Sequence, residues 1–126
     1  MEAAISNRVL AAGAIEIRPG EFLATADGRP LNLTARELDL LTALVQRAGR
    51  IVSREELYQV VWHEDYRKSD RSVDVYVAKL RQKLDDVLPG IRVIHTHFGF
   101  GYRLQPQDDR FPEPPSHRFH IPETSP

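Results

Sequence analysis

The chain has no cysteine. Disulfides, thiolate catalysis and cysteine-ligated metal sites are therefore excluded. It has no apolar run near the roughly 20 residues that a membrane-spanning helix needs. Its first residues, Met1-Glu2-Ala3-Ala4-Ile5-Ser6-Asn7, lack the pattern of a signal peptide. These absences lead to the expectation of a cytoplasmic protein with no membrane partner. Glycine-rich phosphate loops, a serine–histidine–aspartate arrangement and paired catalytic carboxylates are missing too, so neither catalysis nor a cofactor is expected. Net charge is also scarce. The formal sum is −1 over 126 residues, which argues weakly against a nucleic-acid partner.

The distribution of charge says more than its sum. Between Arg67 and Lys83 stand six cations (Arg67, Lys68, Arg71, Lys79, Arg81 and Lys83) against Asp70 and Asp74, a local charge of +4. From Leu104 to the end, Arg110 and Arg118 face Asp108, Asp109, Glu113 and Glu123, a local charge of −2. A basic patch thus lies beside acidic flanks. Such a run is either a solvated helix face or a surface for a polyanion.

The order of elements can be read from periodicity and turn signals. Val9–Leu10, Ala14–Ile17, Phe22–Thr25 and the stretch near Leu31–Leu33 are short strand candidates. Pro19-Gly20 and Ala26-Asp27-Gly28 separate them. A small antiparallel sheet is expected, covering one side of the helices. Thr34-Ala35-Arg36-Glu37 is a capping box that opens a helix, with Leu38, Leu41 and Val45 on one stripe and Gly49 as its stop. Ser53-Arg54-Glu55-Glu56 repeats the pattern and opens a shorter helix through about Val60. His63–Ser69 is a polar loop. Ser69 or Asp70 caps a third helix running to about Leu84.

Val73, Val77, Leu80 and Leu84 fall at i, i+4, i+7 and i+11 on that third helix, one narrow stripe that must pack inward. The opposite side presents Arg71, Ser72, Val75, Lys79, Gln82 and Lys83, with Tyr76 at its edge. Lysine and arginine reach phosphates or guanine, and Val75 can meet a thymine methyl. Arg81 lies on the flank shared with Asp74, so a structural or phosphate role fits it better than base contact. Asp74 is expected to organise neighbouring basic side chains. Leu88-Pro89-Gly90 then turns the chain into a hairpin, with Ile91–Thr96 and Gly101–Leu104 as arms around His97-Phe98-Gly99-Phe100. Six of the last 22 residues, from Gln105 on, are proline. That composition does not support a packed core and leads to the expectation of an extended or disordered tail. The division expected is a domain over 1–104 and a tail over 105–126.

The fold class expected is α+β, a winged helix-turn-helix: a small N-terminal antiparallel sheet, three helices and a C-terminal β-hairpin wing. Several pieces in one order resemble the effector domain of OmpR/PhoB-type response regulators. They are Leu33-Thr34-Ala35-Arg36-Glu37-Leu38, Val52-Ser53-Arg54-Glu55-Glu56-Leu57, Val61-Trp62, Arg71-Ser72-Val73-Asp74-Val75, Leu80-Arg81-Gln82-Lys83-Leu84 and Gly99-Phe100-Gly101-Tyr102-Arg103-Leu104. The likeness covers roughly Val9–Leu104. It implies a bacterial transcription regulator that binds double-stranded DNA, with the helix over 70–84 in the major groove and the wing over 94–104 at the backbone or minor groove. The positions matching the family's reading helix are Arg71, Ser72, Val75, Tyr76, Lys79 and Arg81, and Lys83 joins them on charge. Arg54 and Trp62 match positions beside the groove that meet phosphates. Thr96 and Tyr102 match wing residues at the backbone, and His97 stands next to them. The loop His63–Ser69 matches the segment that touches RNA polymerase in activators of the family. Relatives often bind tandem DNA sites, so self-association on DNA is a further expectation. Family members usually carry a receiver domain before this one. Here the sheet begins almost at Met1, so the chain is either a stand-alone regulator or excised from a receiver-containing protein.

The wing departs from the family pattern. Relatives usually have an arginine where this chain has Phe98, in Thr96-His97-Phe98-Gly99, and many have a basic residue where it has Ala78. Phe98 brings no charge to the narrow minor groove. It is suited to sugars, to a base step or to another protein. Weaker DNA affinity or a shallower salt dependence than in a typical relative is expected. The second function class left open is therefore a winged-helix interaction module, for example an adaptor on RNA polymerase. Trp62 and Tyr102 each have an alternative role in the core. A metal site of His95, His97, His117 and His120 is conceivable but lacks a well-spaced carboxylate, so no metal is expected.

Overall fold

The computed structural model describes residues 8–67 and 69–108. Four short strands open it: β1 (Leu10–Ala12), β2 (Ile15–Arg18), β3 (Leu23–Ala26) and β4 (Arg29–Pro30). They pair antiparallel in sequence order. Alternation sets the faces, so that Ile15, Ile17, Ala24 and Ala26 are buried while Glu16 points out. Asp27 and Gly28 both take positive φ (55° and 78°) and close the turn between β3 and β4. The expected strand near Leu31–Leu33 is instead Arg29–Pro30. Leu31 follows it as a buried residue of the core.

Helix α1 (Ala35–Gln46) begins with the complete capping box. The Glu37 backbone N–H donates to Thr34 Oγ1, and the Thr34 N–H donates to Glu37 Oε1. Helix α2 (Arg54–Trp62) is capped by the Ser53 hydroxyl, which accepts from the Glu56 N–H. The Glu56 carboxylate takes Arg47 and Arg50 (2.9 and 2.8 Å), bridging α2 to the end of α1. Between these helices lies β5 (Ile51–Val52), a strand too short for periodicity to reveal. Helix α3 (Ser72–Val87) runs three residues beyond the expected end. Its N-cap is Arg71, without a side-chain cap, rather than the expected Ser69 or Asp70; the Asp70 Oδ1 still accepts from the Ser72 N–H at 2.8 Å just before the helix.

The chain returns through β6 (Ile91–His97) and β7 (Gly101–Asp108), and β7 lies between β5 and β6 in a second antiparallel sheet. The second arm of the wing thus continues to Asp108, and Gln105, Pro106 and Gln107 belong to a paired strand rather than to the expected tail. His117 and His120 lie outside the described residues, as does the rest of the tail from Asp109. One hydrophobic cluster joins both sheets and all three helices. It contains the whole predicted stripe of α3, Val73, Val77, Leu80 and Leu84. No helix among the described residues is long and apolar enough to cross a membrane.

Candidate nucleic-acid interface

Burying one stripe of α3 forces the opposite stripe outward. Arg71, Val75, Ala78, Lys79 and Gln82 are exposed, and Ser72 and Tyr76 are partly so. Val75 keeps 48% of its surface in solvent, which is notable for a valine flanked by buried Val73 and Val77. The exposed row carries two guanidinium or ammonium groups, one hydroxyl, one amide and one branched apolar side chain. Lys79 Nζ stands 4.7 Å from the centroid of the Tyr76 ring, which steers the ammonium without neutralising it. Arg71 makes one 3.3 Å contact to Asp74 and remains largely exposed.

Two other cations of the basic run, Lys83 and Arg81, point elsewhere. Lys83 was expected on the outward face. Its Nζ instead lies 2.6 Å from Glu37 Oε1 and 2.8 Å from the Asn32 carbonyl. The physical reason is that Glu37 is 3% exposed and needs a counter-charge. Burial works to raise the Glu37 pKa, but hydrogen bonds from Lys83 and Thr34 outweigh it and hold the carboxyl below its ordinary value. Arg81 is likewise turned toward the wing. Its Nη2 donates to the Ile94 carbonyl (2.9 Å) and to Thr96 Oγ1 (2.7 Å). Arg81 and Thr96 therefore act on one another, a structural role the flank position of Arg81 already favoured.

Asp74 is the junction between helix and wing. Its Oδ1 accepts from Arg54 Nε at 2.7 Å and from the Tyr102 hydroxyl, and its Oδ2 faces Arg71. Burial pushes the carboxyl up, but the donors Tyr102 and Arg54 win and leave its pKa lowered. Burial, together with the donated bond to Asp74, pushes the Tyr102 hydroxyl above its usual value. The Tyr102 ring is buried, with Arg54 5.3 Å and Arg81 5.7 Å from its centroid. The role predicted for Asp74 is thus visible in its contacts. Tyr102 is a wing-root core residue whose hydroxyl is held inside.

Trp62, the last residue of α2, is partly buried and stacks on Tyr58 with ring centroids 5.1 Å apart. Its edge meets Tyr76 at 5.5 Å. Arg36 lies 5.0 Å from the Trp62 ring and donates to the Val61 carbonyl at 3.1 Å. Arg36 was not singled out from the sequence, because its link to α2 spans 25 residues. Arg54, at the other end of α2, is partly exposed and paired with Asp74.

The wing root is built on Gly101. It has φ 144°, and a Cβ there would sit 2.0 Å from the Val52 carbonyl oxygen. Only glycine lets β7 approach β5 this closely. His97 Nε2 accepts from Arg103 Nε at 3.1 Å. His95 is buried. Its Nε2 lies 2.8 Å from the Gln105 carbonyl, which can only accept, so the ring donates there. Burial lowers the His95 pKa. No group of three metal-ligating side chains occurs among the described residues. At the tip, Phe98 and Phe100 are 85% and 73% exposed.

Residues 28–104 match the family model described as transcriptional regulatory protein, C terminal. The chain is 40% identical over 94 residues to the transcriptional regulatory protein AfsQ1 of Streptomyces coelicolor, a match over 75% of this chain and 42% of AfsQ1. It therefore spans less than half the length of that relative. The DNA-binding domain of CpxR from E. coli is 36% identical, with a TM-score of 0.70, covering 78% of this chain and 96% of that domain. The Klebsiella pneumoniae RstA DNA-binding domain, solved in complex with the RstA box, is 30% identical with a TM-score of 0.71. That match covers 79% of this chain and 99% of the RstA domain.

Proposed function

The chain belongs to the OmpR/PhoB-type family of transcriptional regulatory C-terminal domains, and from that premise we propose that it binds double-stranded DNA sequence-specifically to regulate transcription. Helix α3 enters the major groove, and the wing lies along the backbone or minor groove. The observation that carries this reading is the outward row of α3, where Arg71, Ser72, Val75 and Lys79 share one exposed face. Arg54 and Trp62 are available to phosphates at the groove edge, and the partly exposed Thr96 and His97 on the wing. Asp74 and Tyr102 hold Arg54 and Arg71 in place. The protein acts by binding, not by catalysis.

The experiment is a double change, Arg71→Ala with Lys79→Ala, assayed against duplexes selected from a random pool. Affinity falls by at least tenfold while the fold persists. A parent that binds no duplex, or a variant that binds as well as the parent, overturns the reading.

Two further partners belong to the same proposal. RNA polymerase docks on the loop over 63–69, where His63, Glu64, Asp65 and Arg67 are exposed between α2 and α3. A second copy binds beside the first on tandem sites. The exposed Phe98 and Phe100 favour a second reading, an adaptor that contacts RNA polymerase without reading DNA. That reading predicts no selected DNA motif. In relatives' terms the module sits within a longer two-component regulator; the DNA-binding unit, expected over 1–104, takes in the rest of β7 to Asp108, with the Pro-rich segment beyond it.

A further inference from the structure

The wing tip combines two features that belong together. Two exposed aromatic rings, Phe98 and Phe100, flank Gly99, which takes φ 84° in a turn closed by the Phe100 N–H donating to the His97 carbonyl at 2.8 Å. The strands beneath the tip carry two guanidinium groups, Arg92 and Arg103, and from Ile91 to Gln107 no carboxylate; Asp108 stands at the far end of β7 from the tip, opposite Ile91. An apolar tip on a cationic stem complements a surface that alternates phosphates with sugars and base edges. It does not complement an apolar protein groove lined by basic residues.

The tip is also rigidly placed relative to α3. Arg81 ties the helix to Ile94 and Thr96 of β6, and Asp74 ties it to Tyr102 of β7. Whatever the tip touches therefore lies at a fixed offset from whatever the exposed row of α3 touches. Apolar side chains inserted at a minor-groove step partially unstack it, and pyrimidine–purine steps yield most readily.

We propose that Phe98, supported by Phe100, is a minor-groove wedge that seats at a flexible base step of the same duplex that α3 reads. The proposal rests on the reading of α3 as the DNA-binding helix. It assigns to the wing a selectivity for step deformability at one fixed distance from the major-groove site. Because the rings displace no counterions, this contribution is insensitive to salt.

The test uses the full chain and duplexes selected from a random pool, with 2-aminopurine scanned through the flank that the wing faces. The parent raises 2-aminopurine emission at one step, and the Phe98→Ala/Phe100→Ala variant does not. The variant's affinity falls about tenfold with the same log K against log salt slope, and its circular dichroism is unchanged. Replacing the step by a stiff A-tract weakens the parent but not the variant. If Arg71→Ala/Lys79→Ala abolishes binding while the phenylalanine variant binds and unstacks like the parent, the wedge is overturned and the α3 reading stands. If the parent selects no duplex at all, both are overturned. Loss of binding to RNA polymerase in the phenylalanine variant, with DNA affinity unchanged, assigns the tip to a protein and overturns the wedge.

Discussion

Arg71 and Lys79 on one hand, and Arg81 and Lys83 on the other, are indistinguishable as members of one basic run. The fold separates them. The first pair points to solvent on the exposed row of α3. Arg81, although exposed, is tied to the wing by a carbonyl and a hydroxyl, and the half-buried Lys83 is tied to a buried carboxylate. Half of an apparent DNA-binding patch is thus a set of braces. The lesson is that local charge density overstates an interface when a neighbouring element carries an unpaired acceptor. Glu37 and the Ile94 carbonyl are such acceptors, 46 and 13 residues from the cations they capture.

The largest effect is expected where the braces meet the wing. Gly101→Ala places a methyl group against the Val52 backbone and keeps a φ that disfavours side chains. It costs about 3 kcal/mol or more, read as a fall in Tm and loss of near-ultraviolet dichroism. Lys83→Met comes next. Removing the partner of buried Glu37 costs about 2 kcal/mol in denaturant titration, with DNA affinity of the folded protein unchanged. Equal affinity loss in Lys83→Met and Lys79→Ala would erase the distinction between the two pairs.

Acidity gives a smaller, graded effect. The pKa values of Asp74 and Glu37 are lowered from ordinary values of 3.8 and 4.5, and that of His95 from 6.5. In each case the unfolded chain binds the proton first as pH falls. Stability is therefore full above about pH 6.5 and up to the ordinary tyrosine value of 10.0, above which the raised Tyr102 pKa makes it fall again. On the acid side it declines first through His95 and declines further below pH 4.5 as the carboxyls are titrated. Replacing His95 by Gln removes the upper part of this decline and leaves the lower part, as measured by unfolding free energy against pH. The smallest effect is that of Lys79→Ala on stability, within about 0.5 kcal/mol of the parent, because the side chain braces nothing.

Much of this was legible in the sequence. Thr34 and Glu37 announce α1 because a capping box is local. The Val73, Val77, Leu80 and Leu84 stripe announces α3 and, by exclusion, its exposed row. The role of Asp74 follows from its basic neighbours. The pairing of Ile51–Val52 with β7 and the extension of β7 to Asp108 were not legible. Two residues carry no period, and Pro106 in a Gln-rich stretch reads as a loop until β6 is there to pair with it. Arg36, Arg81 and Lys83 share this limit, since their partners are chosen by tertiary packing.

The most direct measurement is the slope of log K against log salt for the parent, for Arg71→Ala/Lys79→Ala and for Lys83→Met on one selected duplex. Each lost phosphate contact shallows the slope by about 0.9. The account predicts a slope shallower by up to about 1.8 for the outward pair and an unchanged slope for Lys83→Met. An unchanged slope for the outward pair, or an equal change in Lys83→Met, would contradict it.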